Sequence, residues 1–349
     1  MLGRRSPQRA PGRVLRAVRE VPPGEGGLLA TSLRYHAPVD LAAALRASLG
    51  ADRVRENAPL VRFTTFSIGG PADLLVEVRS AGEALAALRL AREAGVPLTW
   101  LGGGSNVLVG DGGIRGLVVR AHGGRVEAVA PDRVRAEAGV ALNGLVRYTI
   151  VHGLAGLAEW AGTPGTVGGA LHGNAHFRGR LVSEAVVSVE VAGSDGSVRE
   201  IGAGEMEFAY DRSRLQRTGE LVLAAEFAVE PGEPEALRAV ARASLAYRKR
   251  TQSLTLPSAG CIFRNPDPAS VVLPPGVPCS AGALVDRAGL KGTAVGGAGV
   301  STVHANFVVN EGGATARDVA LLVERMREAV RARFGVVLEE EIVRLGEFH

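Results

Sequence analysis

Residues 101–109 read LGGGSNVLV, with three consecutive glycines at positions 102–104. They follow a short apolar run, 96–101, and a glycine has no side chain to keep a ligand away from the backbone. Three adjacent backbone N–H groups can surround an anion such as a phosphate. The stretch is neither a P-loop nor a Rossmann fingerprint, because no Gly-Lys-Ser/Thr follows and Val107 stands where the third glycine would be. Taken alone, it predicts either a tight turn or an anion-binding loop.

The residues before these glycines predict a strand-helix-strand unit. Residues 72–78 have the apolar content of a strand, and Ser80 is a suitable N-cap for a helix that runs to Ala94. Gly95-Val96-Pro97 would end that helix. The glycines therefore lie where this unit ends.

A second glycine-rich stretch, GTPGTVGGA at residues 162–170, is followed by HGNA at 172–175. Two such stretches favour one extended ligand. A third motif, TTFSIGGPAD at residues 64–73, lies upstream. Together the three motifs closely resemble those of the UDP-N-acetylenolpyruvoylglucosamine reductase (MurB) family, flavoenzymes of bacterial cell-wall synthesis. The resemblance extends from about residue 64 to residue 346.

The resemblance implies an α+β protein with an FAD-binding fold of the vanillyl-alcohol-oxidase (PCMH) type and a separate α+β substrate domain. A chain of 349 residues, 46% of them hydrophobic, is long enough for two or three domains. The arginines, prolines and glycines near the start predict a disordered basic tail. The expected divisions are this tail at 1–35, the FAD-binding domain with two subdomains at 36–232, the substrate-binding domain at 233–331, and a C-terminal strand at 332–349 that returns to the FAD-binding domain.

The resemblance also implies the reaction. NADPH would reduce a non-covalently bound FAD, and the enzyme, a UDP-N-acetylmuramate dehydrogenase, would convert UDP-N-acetylglucosamine enolpyruvate to UDP-N-acetylmuramate for peptidoglycan precursor synthesis. The short span from Ser213 to Cys261 resembles the type II form of the family. Two alternatives stay open: an FAD-dependent sugar or lactone oxidase of the same fold, and a non-catalytic flavin-binding protein.

The cofactor contacts implied by the resemblance are distributed over the three motifs. They are Ile68, Gly69, Gly70, Gly102, Gly103, Gly104, Ser105, Asn106, Thr163, Pro164, Gly165, Thr166, Gly168, Gly169, Ala170 and Asn174.

Glu341 is the last glutamate of the run LEEE at 338–341, within a predicted closing strand from Val336 to Leu345. Alternation along that strand predicts Glu341 on one face with apolar residues 337, 343 and 345, and such neighbours raise the pKa of a carboxyl group. The pattern alone favours a solvated strand end. The resemblance instead implies that Glu341 is the family's catalytic glutamate, at the end of its Leu-Glu-x-Glu motif.

Cys261 stands where most members of the family have serine, in a Gly-Ser-x-Phe-Lys-Asn-Pro motif. The resemblance implies that this residue protonates the carbon next to the substrate carboxylate. A thiol can do so too, and its reference pKa of about 8.5 adds sensitivity to oxidation. Burial as a small core residue is the alternative, which suits Cys279 better.

The run Tyr210-Asp211-Arg212-Ser213-Arg214 resembles the family's Tyr-Arg-x-Ser motif, whose arginine holds the substrate carboxylate and the developing enolate. Asp211 occupies the place of that arginine. Arg212 is our preferred replacement, Arg214 is the second candidate, and ordinary surface arginines are the alternative.

The remaining substrate contacts follow from the resemblance as well. Three cations are expected at a diphosphate, although each could be an ordinary exposed charge, and two polar residues are expected to shape the substrate or nicotinamide side of the pocket. The full set of substrate-binding candidates is Tyr210, Arg214, Arg248, Arg264, Lys291, His304 and Asn306.

Composition limits the other classes of function. No apolar run has the length of a membrane span, and a net charge of +4 with 4% aromatic residues argues against a nucleic-acid partner. Two cysteines suggest a reducing compartment, so we expect a cytoplasmic enzyme, acting as a monomer. His172 and His176 lack a partner at metal-ligand spacing, so no metal is expected.

Overall fold

A computed structural model describes residues 39–348 as three lobes, each built around its own sheet. The predicted basic tail, 1–35, lies outside these residues. No helix within the described part of the chain is long and apolar enough to cross a membrane.

The first lobe is a four-stranded sheet in the order β1-β2-β5-β3, in which β2, β5 and β3 are parallel. The predicted strand-helix-strand unit is confirmed, because the Ser80 hydroxyl accepts a hydrogen bond from the Glu83 N–H and begins α2. Three buried alanines and Leu88 of α2 pack on the sheet. The elements are α1 (Val39–Leu49), β1 (Val54–Pro59), β2 (Pro71–Val78), α2 (Ala81–Glu93), β3 (Leu98–Leu101), β4 (Val107–Val109) and β5 (Ile114–Ala121).

The second lobe is a five-stranded antiparallel sheet in the order β12-β11-β13-β7-β6, covered by helices. Its elements are β6 (Val126–Ala130), β7 (Arg133–Glu137), α3 (Leu142–Val151), β8 (Leu154–Ala155), α4 (Val167–His172), β9 (His176–Phe177), β10 (Arg180–Leu181), β11 (Val186–Ala192), β12 (Val198–Gly202), α5 (Leu215–Thr218), β13 (Leu221–Ala228), β14 (Glu230–Pro231) and α6 (Pro234–Thr251).

Helix α6 belongs to the second lobe, because its buried Leu237 and Ala241 share that lobe's hydrophobic core. The domain boundary predicted at residue 233 is therefore too early. Pro234, which suggested a linker, occupies the first turn of α6, where proline is well tolerated. The third lobe begins after this helix.

The third lobe is a four-stranded sheet in the order β15-β18-β17-β16, packed against α7 and α8. The predicted last helix is confirmed: Thr315 and Asp318 form a capping box, and Gly335 ends the helix in the left-handed region. The elements are β15 (Ser258–Cys261), α7 (Ala281–Arg287), β16 (Ala294–Val295), β17 (Ala298–Val300), β18 (Phe307–Asn310), α8 (Ala316–Phe334) and β19 (Val343–Leu345).

The closing strand is much shorter than predicted and consists only of β19, which pairs in parallel with β4 of the first lobe. The predicted alternation is wrong, since Val337 is 62% exposed whereas Val336 and Leu338 are buried. Residues 339–341 instead run beside residues 262–264 of the third lobe, joined by backbone hydrogen bonds. Competition from this second neighbour explains why the regular strand is confined to the last three residues.

Candidate active site

The lobes enclose a cleft of about 1810 Å³. Both glycine-rich stretches line it, together with residues 252–261 and the C-terminal residues 340–343. Sites for one drug-sized ligand typically measure roughly 300–1,000 Å³. The cleft therefore has room for two ligands side by side.

The two glycine-rich stretches meet each other on one wall of this cleft. A Cβ atom on Gly103 would lie 2.7 Å from the Gly165 Cα, and one on Gly102 would lie 2.5 Å from the Thr166 Oγ1. Gly104 has φ +63°, and a Cβ there would lie 2.1 Å from the Phe63 carbonyl oxygen. The absence of side chains at these glycines thus allows the two stretches to contact each other and the backbone of Phe63 and Thr64.

The backbone N–H groups of residues 102–106 are free to bind an anion. None of them donates a hydrogen bond to another residue within 39–348, although Gly104 is buried and the other four residues are half-buried. Buried N–H groups are nearly always paired, and a curved run of unpaired ones attracts phosphate oxygens. This wall therefore fits the diphosphate of a dinucleotide such as FAD.

Most of the predicted cofactor residues line the cleft, but four do not. Ile68 is buried in the core of the third lobe, and Gly69 and Gly70 pack closely against residues 109–113. Asn174 is fully buried, where its amide donates to the Ala209 carbonyl at 2.8 Å and accepts from the Ser183 N–H at 3.2 Å. The structure thus gives all four a place in the framework around the cleft. The cofactor candidates that do line it are Gly102, Gly103, Gly104, Ser105, Asn106, Thr163, Pro164, Gly165, Thr166, Gly168, Gly169 and Ala170.

Asn106 connects the first glycine stretch to the C-terminal segment. Its backbone carbonyl accepts a hydrogen bond from the Val343 N–H at 2.9 Å, and its side chain donates to the Glu341 carbonyl at 3.1 Å. On the other side, the Glu341 N–H donates to the Ile262 carbonyl at 2.8 Å. Glu341 is therefore held between the glycine stretch and the segment that follows Cys261.

Burial raises the pKa of Glu341 to about 8, and the nearby Asp211 carboxylate adds to this effect while Arg264 opposes it. Its neighbour Glu340 takes the ion pairs instead, with Arg327 and Arg344. A raised pKa was one of two expectations for Glu341, beside a solvated strand end, and its source here is enclosure between two lobes and not the face of a strand. At neutral pH the Glu341 carboxyl group is mostly protonated and can donate a hydrogen bond.

Cys261 lies directly after an irregularity in β15, where Gly260 has φ +84°. Such bulges commonly re-aim a side chain beside an active site. Burial raises the pKa of the Cys261 thiol to about 12, with a further contribution from Glu341, against a hydrogen bond with Asn306. The thiol is therefore a protonated donor, and the expected sensitivity to oxidation is not supported because a thiolate is scarce. Cys279, for which a core role was the better fit, is only half-buried.

Neither arginine that was expected to replace the family arginine lines the cleft. Arg212 is exposed, whereas the Arg214 guanidinium is held by Glu220 at 3.0 Å and by the Glu205 carbonyl at 3.2 Å. The reason is a two-residue turn at 210–211, closed by paired hydrogen bonds between Ala209 and Arg212. The turn directs Tyr210 and Asp211, but not Arg212, to the cleft.

Arg264 is the arginine that the structure brings to Asp211. Its Nε donates to the Asp211 carboxylate, which is only 4% exposed. Burial raises the pKa of Asp211, although the Arg264 guanidinium acts in the opposite direction. Both residues line the cleft, and both influence the pKa of Glu341.

The other substrate candidates divide between the cleft and its surroundings. Tyr210 and His304 line the cleft; burial raises the pKa of Tyr210 to about 12 and lowers that of His304. Lys291 lies outside it and pairs with Asp286 at 2.8 Å. Asn306 is buried and clamps the backbone of Phe263 with both ends of its amide, at 3.0 and 2.8 Å. Asn306 thus supports the segment that carries Cys261.

Arg248 is 5% exposed, and one of its terminal nitrogens donates to the Gln252 side chain at 3.4 Å. Its guanidinium lies 3.7 Å from the centre of the Phe177 ring and donates to the Thr163 hydroxyl at 2.5 Å. Burial lowers its pKa to about 10. Arg248 therefore connects α6 to the second glycine stretch. These contacts differ from those expected of an exposed arginine that binds a diphosphate.

Sequence reasoning missed three polar residues of the cleft. Thr65 belongs to the first motif and donates to the Ser258 carbonyl at 2.8 Å, which joins the first and third lobes. Asn265 follows Arg264 and lies 3.4 Å from the Tyr210 hydroxyl, and His176 packs against the Tyr210 ring at 4.6 Å. The motifs that contain Thr65 and Asn265 were a usable signal, whereas His176 was considered only as a metal ligand and not as a residue of the cleft. Among residues 39–348, no cluster of His, Cys, Asp or Glu side chains could hold a metal ion.

Comparisons with known proteins agree with this geometry. Residues 252–345 match the profile of the C-terminal domain of UDP-N-acetylenolpyruvoylglucosamine reductase, and residues 72–202 match that of an FAD-binding domain. The Myxococcus xanthus reductase is 42% identical over 306 residues, 86% of this chain and 95% of that protein. Reductase 2 of Symbiobacterium thermophilum is 44% identical over 292 residues, 83% of this chain and 91% of that protein. The crystal structure of the Thermus caldophilus reductase aligns with this structure with a TM-score of 0.69 and 34% sequence identity. The alignment covers 84% of this chain and 99% of the Thermus chain.

Proposed function

The chain belongs to the UDP-N-acetylenolpyruvoylglucosamine reductase family, and we propose that it uses NADPH and FAD to reduce UDP-N-acetylglucosamine enolpyruvate to UDP-N-acetylmuramate. One observation supports this reaction above the alternatives. A phosphate-binding wall and two protonated acids, Cys261 and Glu341, share a single cleft. A plain flavin carrier has no need of the two acids, and an oxidase has no enolate to protonate.

The cofactor is held at the wall formed by the two glycine stretches. The free N–H groups of residues 102–106 bind the diphosphate, and the close contact between Gly103 and Gly165 fixes the shape of the site. The chemistry that FAD would supply there, once reduced by NADPH, is hydride donation to the methylene carbon of the enolpyruvyl group.

The protein's own acids complete the reduction. The protonated Glu341 carboxyl group donates a hydrogen bond to the substrate carboxylate as it gains enolate character. The Cys261 thiol then gives its proton to the adjacent carbon, which forms the second C–H bond. A thiolate with a pKa of about 12 recovers a proton from water at neutral pH, so the site returns to its starting state.

We further propose an oligomeric state and a cellular compartment for the enzyme. One chain supplies both glycine stretches, Cys261 and Glu341, which supports a monomer as the catalytic unit. NADPH and a UDP-sugar are cytoplasmic metabolites, so we assign the reaction to the cytoplasm, without a nucleic-acid or membrane partner.

The test is the substrate dependence of NADPH oxidation by the purified flavoprotein with oxygen excluded. We expect NADPH to be consumed only when the enolpyruvyl substrate is present, with one UDP-N-acetylmuramate formed per NADPH. Oxygen consumption with a free sugar or lactone, without any need for NADPH, would replace this proposal with the oxidase.

A further inference from the structure

We propose that Arg264, oriented by Asp211, is the cation that binds the substrate carboxylate in this chain. The inference rests on the proposed function and completes it, because Arg212 and Arg214 do not line the cleft. It also departs from the expectation that Arg264 binds a diphosphate.

The carboxylate of Asp211 is a fixed point in the cleft wall. Asp211 has φ +51°, a left-handed conformation that aspartate adopts more readily than most residues. The turn that carries it is fastened to the end of α4, since the Ser213 hydroxyl donates to the His172 carbonyl at 2.7 Å and Asn174 donates to the Ala209 carbonyl at 2.8 Å. A buried carboxylate on such a support has little freedom to move.

Arg264 is held at two points and open at a third. Its backbone N–H donates to the Glu339 carbonyl at 2.9 Å, and its Nε donates to Asp211. Its side chain remains 24% exposed, and its terminal nitrogens donate no hydrogen bond within the described residues, the Glu339 carboxylate being 3.7 Å away. A guanidinium can bind two carboxylates through two different edges. The edge with the terminal nitrogens is therefore available for a ligand carboxylate.

The position of Arg264 matches the place where such a cation is needed. The backbone pairing of residues 262–264 with 339–341 brings it to the same wall as Cys261 and Glu341. Lys291 is committed to Asp286 outside the cleft. Arg248 and Arg178 also line the cleft, but their guanidinium groups lie over the Phe177 and Tyr247 rings. Arg264 is the cationic side chain whose charge lowers the pKa of Glu341.

The sequence differs from the family motifs at both positions of this ion pair, 211 and 264. The motifs it resembles have arginine where this chain has Asp211, and lysine where it has Arg264. A lysine has one compact ammonium group and cannot engage Asp211 and a ligand through separate edges. Moving the guanidinium to position 264 and placing a carboxylate at 211 thus keeps one oriented arginine at the reacting group.

The experiment compares two ligands that differ in the carboxylate. UDP-N-acetylmuramate carries the lactyl carboxylate, whereas UDP-N-acetylglucosamine lacks it, and both can be titrated against the oxidised flavoprotein by its visible spectrum. Arg264→Lys should weaken binding of UDP-N-acetylmuramate about 10- to 100-fold, the size of one lost hydrogen bond to a charged group. Binding of UDP-N-acetylglucosamine should stay within about twofold, and Arg212→Lys should change neither.

Asp211→Asn tests the positioning role. It should weaken UDP-N-acetylmuramate selectively, and it should add little when combined with Arg264→Lys, because the two act as one unit. Every variant should keep the visible spectrum of oxidised FAD at one flavin per chain, which shows that each is folded and loaded.

Three results would overturn the proposal. One is equal weakening of both ligands by Arg264→Lys, which would return Arg264 to the diphosphate, and another is no weakening at all. The third is full additivity of the two substitutions. Failure of the proposed function looks different, since the wild-type reduced flavin would then not respond to the enolpyruvyl substrate.

Discussion

Glu341 gives the most specific prediction, because it must be protonated to donate its hydrogen bond. A carboxyl group whose pKa moves from 4.5 to about 8 favours its neutral form by about 5 kcal/mol more than it does in water. At a pH one unit above 8, only about a tenth of the enzyme keeps this proton. The rate of the enolpyruvyl half-reaction should therefore fall about tenfold per pH unit above 8, from a plateau at lower pH.

The assay is the rate of flavin reoxidation by the enolpyruvyl substrate, measured anaerobically by stopped flow between about pH 6 and pH 10. The pKa values of Cys261 and Tyr210 lie near 12, and burial lowers those of the three histidines in the cleft, so these groups titrate elsewhere. In Glu341→Gln the decline near pH 8 should disappear, leaving a lower and flat rate. A decline that persists in Glu341→Gln, or a wild-type rate that is flat to pH 10, would show that the proton on Glu341 is not needed for the reaction.

The remaining predictions concern three other positions. Cys261→Ser should form product. In Cys261→Ala, NADPH should still bleach the flavin, but the steady-state rate of product formation should fall about a hundredfold or more. An alanine variant as fast as wild type would remove the thiol from the mechanism. Gly103→Ala should lower the affinity for FAD, measured by flavin fluorescence, because its Cβ would lie 2.7 Å from the Gly165 Cα. The control Gly204→Ala has open space around the new methyl group and should leave the affinity unchanged. Equal affinities of the two variants would contradict the contact. Arg212→Ala should change kcat less than about threefold, as expected for an exposed side chain; a hundredfold loss would return this arginine to the site.

The glycine stretches were predictable because their chemistry is local. Three glycines after a strand leave the backbone open, and the sequence displays that directly at 102–104. Their close contact with Gly165 and Thr166 was not predictable, because it depends on how the first and second lobes meet. The pattern around Glu341 could not decide between a raised pKa and a solvated strand end, because the cause of the raised pKa is enclosure by a distant segment.

Position 211 shows why the arginine could not be assigned from the sequence. A motif fixes the order of residues but not the direction of a side chain in a turn, and here the turn sends Asp211 inward and leaves Arg212 outside. The partner of Asp211 lies 53 residues further along the chain and is reached only through tertiary structure. Asn174 illustrates the same limit, because a polar residue beside a glycine stretch can serve the framework as readily as the ligand.

The most direct test of the account is an anaerobic experiment in two steps on the wild-type flavoprotein. NADPH should first bleach the flavin, and UDP-N-acetylglucosamine enolpyruvate, added after the excess NADPH is removed, should then restore the oxidised spectrum with one equivalent of UDP-N-acetylmuramate. A reduced flavin that ignores this substrate and is reoxidised only when oxygen is admitted would contradict the account.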